Sequence, residues 1–164
     1  MPTAVPVPAP DTSPSNRPAC LAAPTEVTSE MKLRQRRGPE QWALTLDQMF
    51  EILDVCVKTS EYELLKAEKV FVNMYDINTE FVRPWSSGTG CGLSVLATKD
   101  SSRNAQLMAS HAWGEDVEEL VAGLRSWAEK NHVPSSTLVW FCLFANFQCE
   151  DGSGPNISEQ LEFR

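Results

Sequence analysis

Polar side chains that could transfer protons or bind a ligand follow two apolar runs in the last third of the sequence. His111 and Glu115 come after the first run, and either could transfer a proton within hydrogen-bond reach of a substrate. Functional groups collect beyond the carboxyl ends of parallel strands, so we expect the polar residues after both runs to meet at one rim. The predicted ligand or interaction rim consists of Ser110, His111, Trp113, Glu115, Asn146 and Gln148.

Each residue of this rim also has a structural explanation. A histidine often serves packing or capping, and Trp113 could cover the start of the following helix. Glu115 could interact favourably with the dipole of that helix. Zinc would need more ligands at close spacing than His111 and Glu115 provide, so no metal site is expected. These two residues are the candidate catalytic groups, and the sequence assigns no reaction to them.

Two cysteines could pair with His111 in nucleophilic catalysis. Cys142 lies inside the second apolar run, and a thiol on a buried strand is normally inert. Cys149 follows that run and could reach His111, but no third residue is found that would orient the pair. The sequence therefore does not favour Cys–His catalysis.

The elements that must position the rim form a predicted βαβ unit. Residues 105–110 are a short apolar run, which indicates a buried strand. Residues 115–130 carry apolar side chains at helical spacing, with acidic residues in the first turn. Residues 137–145 contain no charge and are rich in aromatic side chains, which predicts a central strand covered on both faces. The crossover between two such parallel strands should be right-handed.

A pair of helices is predicted upstream of this unit, within residues 41–74. Thr45 and Gln48 form a capping box at the start of the first helix, and the second helical stretch continues to about residue 74. The helical pattern breaks between residues 75 and 92, where Pro84 disfavours helix at Arg83 and residues 86–92 are predicted to be a loop. The three glycines of that loop match neither the phosphate-binding P-loop nor the dinucleotide fingerprint, so a flexible loop is favoured over a phosphate site.

The composition of the chain changes near residue 40. Eight of the 11 prolines lie in residues 1–40, whose formal charge is +1, whereas the remaining residues carry −9 and all five tryptophans. Low hydrophobicity and repeated proline predict a disordered leader over residues 1–40. Its basic cluster at residues 32–37 is interpreted as a solvated linker.

Composition also argues against several classes of protein. An acidic domain does not attract phosphate backbones, so no nucleic-acid partner is expected. No run of about 18 apolar residues is found, so no membrane partner is expected. The five cysteines are an odd number without a C-x-x-C pair, which indicates a reduced intracellular protein. A cytoplasmic location is expected, and the basic cluster is also compatible with the nucleus.

Two motifs carry a resemblance to a known family. One is the turn Ser-His-Ala-Trp-Gly-Glu at residues 110–115, and the other is Val-Trp-Phe-Cys-Leu-Phe-Ala-Asn-Phe-Gln at residues 139–148. Together they resemble an uncharacterised family of algal and protist proteins with the signature SHxWxE … FWxxxFxxNQ. Residues 75–85 and 88–91 look like the region that precedes this unit in relatives. The arrangement is similar, more distantly, to TIR and heterokaryon-incompatibility (HET) domains, whose first strand ends in a turn that Gly114-Glu-Asp116 fits.

The resemblance implies a flavodoxin-like α/β fold that acts as a signalling scaffold. Some TIR domains cleave NAD, and the predicted rim would then border the nucleotide site. The glutamate on which that cleavage depends lies on a later helix, which has no counterpart before Arg164. Cys142 stands where the family pattern has an aspartate, and Asn146-Phe147 stands where many relatives have two asparagines. These differences weaken the transfer of a polar site to this chain.

We therefore expect an α/β protein in which an amino-terminal helical pair precedes a βαβ unit of a parallel, flavodoxin/TIR-like sheet, incomplete at its carboxyl end. The expected parts are a disordered leader (1–40), the helical pair (41–74) and a partial TIR-like domain (75–164). The leading functional hypothesis is a TIR/HET-like signalling or protein-interaction module, the amino-terminal part of a longer protein. It would have a protein partner, no cofactor and the capacity for self-association.

Two alternative functions stay open. One is a hydrolase that processes NAD with the rim residues, and NAD is an expected ligand under this alternative alone. The other is a small regulatory protein that binds a partner through the apolar stripe of the helical pair.

Overall fold

The computed structural model describes residues 16–101 and 104–162, which form helices around a small sheet. The helices are α1 (Ser29–Gln35), α2 (Leu46–Val57), α3 (Ser60–Glu68), α4 (Met74–Ile77), α5 (Arg83–Ser86), α6 (Leu93–Thr98), α7 (Val117–Lys130), α8 (Cys142–Ala145) and α9 (Ile157–Leu161). The strands are β1 (Leu44–Thr45), β2 (Leu107–Ala109) and β3 (Leu138–Phe141). Short 3-10 turns lie at Pro24–Glu26 and Pro39–Gln41.

The three strands form one mixed sheet in the order β1-β3-β2. β3 is central, pairing parallel with β2 and antiparallel with β1. Because α7 connects β2 to β3, the predicted βαβ unit is confirmed. The fold is therefore α/β, but β1, which directly precedes α2, makes the sheet mixed where the resemblance implies a parallel one.

The second predicted strand is shorter than expected. β3 ends at Phe141, and Cys142–Ala145 form the helical turn α8 instead. This turn packs on α6 next to Gly92, where a Cβ atom would lie 2.5 Å from the Ala145 carbonyl oxygen. A side chain at position 92 would clash with the backbone of the turn, so the glycine permits this close packing. The apolar residues after Phe141 are thus buried between helices rather than in the sheet.

The predicted helical pair is confirmed by α2 and α3, with different boundaries for the second helix. Thr45 Oγ1 accepts a hydrogen bond from the Gln48 N–H at 3.1 Å, and Gln48 Oε1 accepts one from the Thr45 N–H at 3.0 Å. This is the predicted capping box. The second helix is capped by Thr59 and ends at Glu68, before residue 74.

Helical turns occupy most of residues 75–86, where the sequence predicts a break in the helical pattern. α4 leads directly into a π-helical turn over Asn78–Val82, which continues into α5. Phe81 and Trp85 are fully buried, with ring centroids 5.4 Å apart. Burial of two large aromatic rings stabilises turns that the local sequence does not favour.

Residues 16–40 are ordered, so the predicted disordered leader is wrong for this part of the chain, while residues 1–15 lie outside the described residues. Arg34, from the cluster interpreted as a solvated linker, is 1% exposed. Its guanidinium donates hydrogen bonds to the Val95 carbonyl at 3.1 Å, Thr98 Oγ1 at 2.7 Å and the Ser101 carbonyl at 2.6 Å. These oxygens lie at the carboxyl end of α6, where the helix dipole favours a cation.

Two buried glutamines join α1 to the carboxyl-terminal segment. Gln35 Nε2 donates to Gln160 Oε1 and to the Ala145 carbonyl, both at 3.1 Å, and Gln35 Oε1 accepts from the Gly92 N–H at 2.8 Å. Gln160 also accepts from the Phe147 N–H at 2.8 Å and donates to the Phe147 carbonyl at 3.0 Å. A buried polar group without a partner costs about 1–3 kcal/mol, so these bonds favour one arrangement of α1, α6, α8 and α9.

The core lies between the sheet and the helices. Its largest fully buried aromatic side chains are Trp42, Tyr62, Phe81, Trp85, Phe141, Phe144 and Phe147. All five cysteines are free thiols. Among the described residues, none of the helices has the length and apolarity needed to cross a membrane.

The burial of Arg34 predicts a large effect on stability. Arg34→Met keeps an apolar stem but removes the guanidinium, which leaves the acceptors at the end of α6 without their donor. We expect the free energy of unfolding to fall by about 2–4 kcal/mol, measured by urea denaturation. Arg36→Met alters an exposed residue of the same cluster and should leave stability unchanged. Equal stability of the two variants would contradict the ordered position of α1.

Candidate functional site

The carboxyl ends of β2 and β3 bring His111 next to Cys142. Ala109 and Phe141, the last residues of the two strands, are partners in the parallel register. Nε2 of His111 lies 3.8 Å from Sγ of Cys142, within hydrogen-bond distance for sulfur. The carboxyl ends of the two strands therefore lie together, and the residues that meet there form a Cys–His pair, which the sequence does not favour.

Aromatic rings surround this pair. His111 stacks on Phe141 with ring centroids 4.5 Å apart and on Trp113 with centroids 6.3 Å apart. Tyr75 lies 5.2 Å from Trp113 and is exposed. The Met74 N–H donates to the Trp113 carbonyl at 3.0 Å, so α4 holds the turn that follows β2. We refer to Tyr75, His111, Trp113, Phe141 and Cys142 together as the Cys–His site.

Partial burial keeps both reactive groups uncharged. Burial lowers the pKa of His111, an effect that the nearby Glu115 carboxylate opposes. Burial raises the pKa of the Cys142 thiol, and hydrogen bonds from the Trp113 side chain and the Leu143 backbone oppose this rise. At neutral pH the pair therefore consists of a neutral imidazole beside a neutral thiol.

The second ring nitrogen of His111 is buried. Nδ1 has no hydrogen-bond partner within the part of the chain that the structure describes. The described hydrogen bond to the ring is the one between Nε2 and the Cys142 thiol, and Nε2 accepts from that thiol when Nδ1 carries the ring proton. Buried polar atoms without partners are rare in folded proteins, and catalytic sites are one place where they occur.

Two other predicted rim residues lie at the border of the site. Glu115 Oε1 accepts a hydrogen bond from the Ala112 N–H at 3.0 Å, so its carboxylate supports the turn that carries His111. Asp116, the next residue, caps α7. Ser110 is exposed and lines a cleft beside β2 rather than contributing a ring or thiol to the Cys–His site.

The predicted residues after the second strand are placed differently. Asn146 and Gln148 are half-buried, and no hydrogen bond joins either side chain to His111 among the described residues. The thiol of Cys149 lies 3.2 Å from Ser86 Oγ and donates to the Arg83 carbonyl at 2.8 Å. It therefore does not form the alternative pair with His111.

Three residues of the site are missing from the predicted rim: Tyr75, Phe141 and Cys142. The interpretation of Cys142 as an inert strand residue is wrong in its premise, because β3 ends one residue before it and the thiol is half-buried. The resemblance holds a signal that could have found it, since the family pattern has an aspartate at this position.

The described residues do not provide the number of ligands that a metal site usually has. No group of three or more His, Cys, Asp or Glu side chains that could hold a metal ion is found within residues 16–101 and 104–162. The arrangement of a thiol, an imidazole and apolar walls instead suits reactions of the sulfur itself.

A second feature of this part of the molecule is the exposed edge of the sheet, which β2 forms. Where the structure describes the chain, β2 pairs with β3 alone, so one row of its backbone N–H and C=O groups points away from the sheet. Met108, its central residue, is 73% exposed. An edge of this kind is a template for pairing with another strand.

An apolar cleft lies on either side of this edge. One cleft, of about 310 Å³, is lined by residues of α2, α7 and β3, including Trp127, which is 45% exposed. The other, of about 420 Å³, is lined by residues that include Glu40 and Trp140. Met108 lines both clefts.

The apolar face predicted for α7 is covered only in part. Val117 and Ala128 are buried, Leu124 is half-buried against the core, and Trp127 remains exposed. The end of the helix nearest the first cleft therefore presents apolar surface that the chain's described residues do not cover.

Comparison with known proteins gives no relative: no family model, no curated protein and no solved structure matches the chain.

The lowered pKa of His111 predicts how stability depends on pH. An unfolded chain binds a proton at this residue near pH 6.5, whereas the folded protein binds it only at lower pH. The folded state should therefore lose stability as the pH falls below about 6.5 toward the folded pKa. Urea denaturation at pH 7.5 and 5.5 measures this loss, which should be smaller in His111→Gln.

The other histidine provides the control. His132 is exposed, and His132→Gln should keep the pH dependence of the unchanged protein. The two variants differ from the unchanged protein at one histidine each, so the comparison isolates the contribution of His111. The same loss of stability in His111→Gln and in the unchanged protein would contradict the burial of a neutral His111.

Proposed function

We propose that this chain is a protein-interaction module whose β2 edge pairs with an extended, basic strand of a partner protein. The observation that carries the proposal is the exposed edge of β2 between two apolar clefts. Backbone hydrogen bonds along an edge supply affinity, and pockets for alternate side chains supply specificity.

The two clefts match the geometry of an added strand. Successive side chains of a strand point to opposite faces, so a strand paired with β2 directs its alternate side chains toward the two clefts. The exposed surfaces of Met108 and Trp127 are apolar, so the side chains that enter should be apolar as well. Aromatic and methionine side chains are enriched at protein interfaces.

Charge favours a basic partner. The chain has a formal net charge of −8, and Glu40 lines the larger cleft. Complementary charge steers association and suppresses binding of acidic partners. In a strand of alternating apolar and basic residues, the apolar side chains can enter the clefts and the basic side chains can interact with the negative charge of the protein.

We propose a TIR/HET-like signalling role as the setting of this interaction. Its support is the parallel pair of β2 and β3 joined by α7, together with the motif at residues 110–115. A flavodoxin-like sheet would continue at the β2 edge, where a partner strand would take the place of the next strand. A cytoplasmic or nuclear location is part of the same proposal and is supported by the five free cysteines.

A designed peptide tests the proposal directly. A fluorescein-labelled peptide of alternating valine and lysine should bind the protein, measured by fluorescence anisotropy. Met108→Asp places a charge between the two clefts and should weaken binding at least about tenfold, which corresponds to about 1.4 kcal/mol. Leu64→Asp makes the same change at a residue of α3 that is 65% exposed, and it should bind the peptide as the unchanged protein does.

Two results would overturn the proposal. One is equal binding of the valine–lysine peptide by the Met108→Asp and Leu64→Asp proteins. The other comes from light scattering: if the unchanged protein is a dimer and Met108→Asp is a monomer, a second copy of the chain occupies the edge instead.

A peptide of alternating valine and glutamate should bind at least tenfold more weakly than the basic peptide, because both the peptide and the protein are acidic.

A further inference from the structure

The Cys–His site has features of a reactive thiol that the proposed interaction at β2 does not use. Cys142 is half-buried and its thiol interacts with the Trp113 side chain, while the imidazole of His111 stacks on Phe141 and on Trp113. The charged group that acts on this imidazole is the Glu115 carboxylate. Apolar walls and a nearby negative charge favour a small uncharged reactant over an anionic one.

The sulfur has a base on one side and two hydrogen-bond donors. Nε2 of His111, at 3.8 Å, can take the thiol proton. The side chain of Trp113 and the backbone of Leu143 lower the pKa of the thiol, because both favour the negative sulfur. The site can therefore form a thiolate at the moment of reaction, although the thiol is protonated at rest.

We propose that Cys142 is a covalent attachment site for uncharged α,β-unsaturated carbonyl compounds, with His111 as the base. Nε2 accepts the proton of the thiol, and Sγ attacks the β-carbon of the compound. A bond forms between sulfur and carbon while the π bond of the alkene breaks and its electron pair moves toward the carbonyl. The resulting enolate takes the proton back from His111 at the α-carbon, so the product contains every atom of both reactants.

Addition fits this site better than reactions that release an anion. Attack of a thiolate on a peroxide releases hydroxide, and attack on an ester releases an alkoxide, so both need a positive or hydrogen-bonding group at the leaving oxygen. The charged residue that acts on His111 is acidic, which disfavours such a leaving group. In an addition the negative charge stays on the enolate until the proton held by His111 neutralises it, so no anion leaves and no oxidant is needed.

Competition among the cysteines tests the proposal in the unchanged protein. N-ethylmaleimide is an uncharged α,β-unsaturated carbonyl compound, and mass spectrometry of peptides measures its rate of addition to each cysteine at pH 7. Cys20 is the internal control, because it is also half-buried but lies beside Glu51, and its pKa is raised to about 12, mainly by burial. We expect Cys142 to react at least tenfold faster than Cys20.

Variants assign the roles of the neighbours. His111→Gln removes the base and should slow addition at Cys142 at least tenfold, without changing the rate at Cys20. Trp113→Phe keeps an aromatic ring but removes the N–H donor, and it should slow the same addition several-fold. Leu64→Asp changes an exposed residue of α3 that belongs neither to the β2 edge nor to the Cys–His site, and it should leave the rate at Cys142 unchanged. Peptide binding and maleimide addition are separate assays that involve different residues, so the two proposals can fail separately.

A charge comparison needs no variant and so does not depend on correct folding of one. A maleimide that carries a carboxylate should react with Cys142 at least tenfold more slowly than N-ethylmaleimide, after each rate is divided by that for free cysteine. The proposal is overturned if Cys20 reacts before Cys142. It is also overturned if folded His111→Gln and Trp113→Phe proteins both react at the unchanged rate, or if the two maleimides react alike.

Discussion

The hydrogen-bond network of Gln35 and Gln160 holds together parts of the chain that no regular element connects. Their two side-chain amides meet in the core and bond to backbone groups at the start of α6, at the end of α8 and before α9. Inside a protein such bonds are strong, and an unpaired member is costly, so the network tolerates few alternative arrangements. Apolar packing alone would permit sliding between these helices, whereas the amides restrict their register.

The Cys–His site depends on this network through the end of β3. Gln35 bonds to the carbonyl of Ala145, the last residue of α8, and Gly92 allows that turn to lie close to α6. Because α8 begins at Cys142, the strand stops just before the thiol, and the sulfur lies beside the imidazole that follows β2. The turn that carries Cys142 is therefore bonded to a buried amide of α1, an element that the composition of the chain does not predict.

The difference between prediction and structure follows from where the partners lie in the sequence. The capping box at Thr45, the helix α7 and the parallel strands were predictable because their determinants lie within a few residues of one another. The burial of Arg34 could not be predicted, because its hydrogen-bond acceptors are carbonyl and hydroxyl oxygens more than 60 residues away. The sequence of the basic cluster does not indicate these acceptors. For the site, the meeting of strand ends at His111 was predictable, but the end of β3 depends on distant packing, and so the role of Cys142 was not.

The separation of the two glutamines also has a consequence for synthesis of the chain. Gln160 follows Gln35 by 125 residues, and at ordinary rates of translation the ribosome needs roughly 6–25 s to add them. During that interval the amide of Gln35 and the N–H of Gly92 can begin to pair, but the remaining bonds wait for α9. In a nascent chain, α1 therefore lacks its hydrogen bond to Gln160 until translation has passed residue 160. During this period the amino-terminal segment would be accessible to a chaperone.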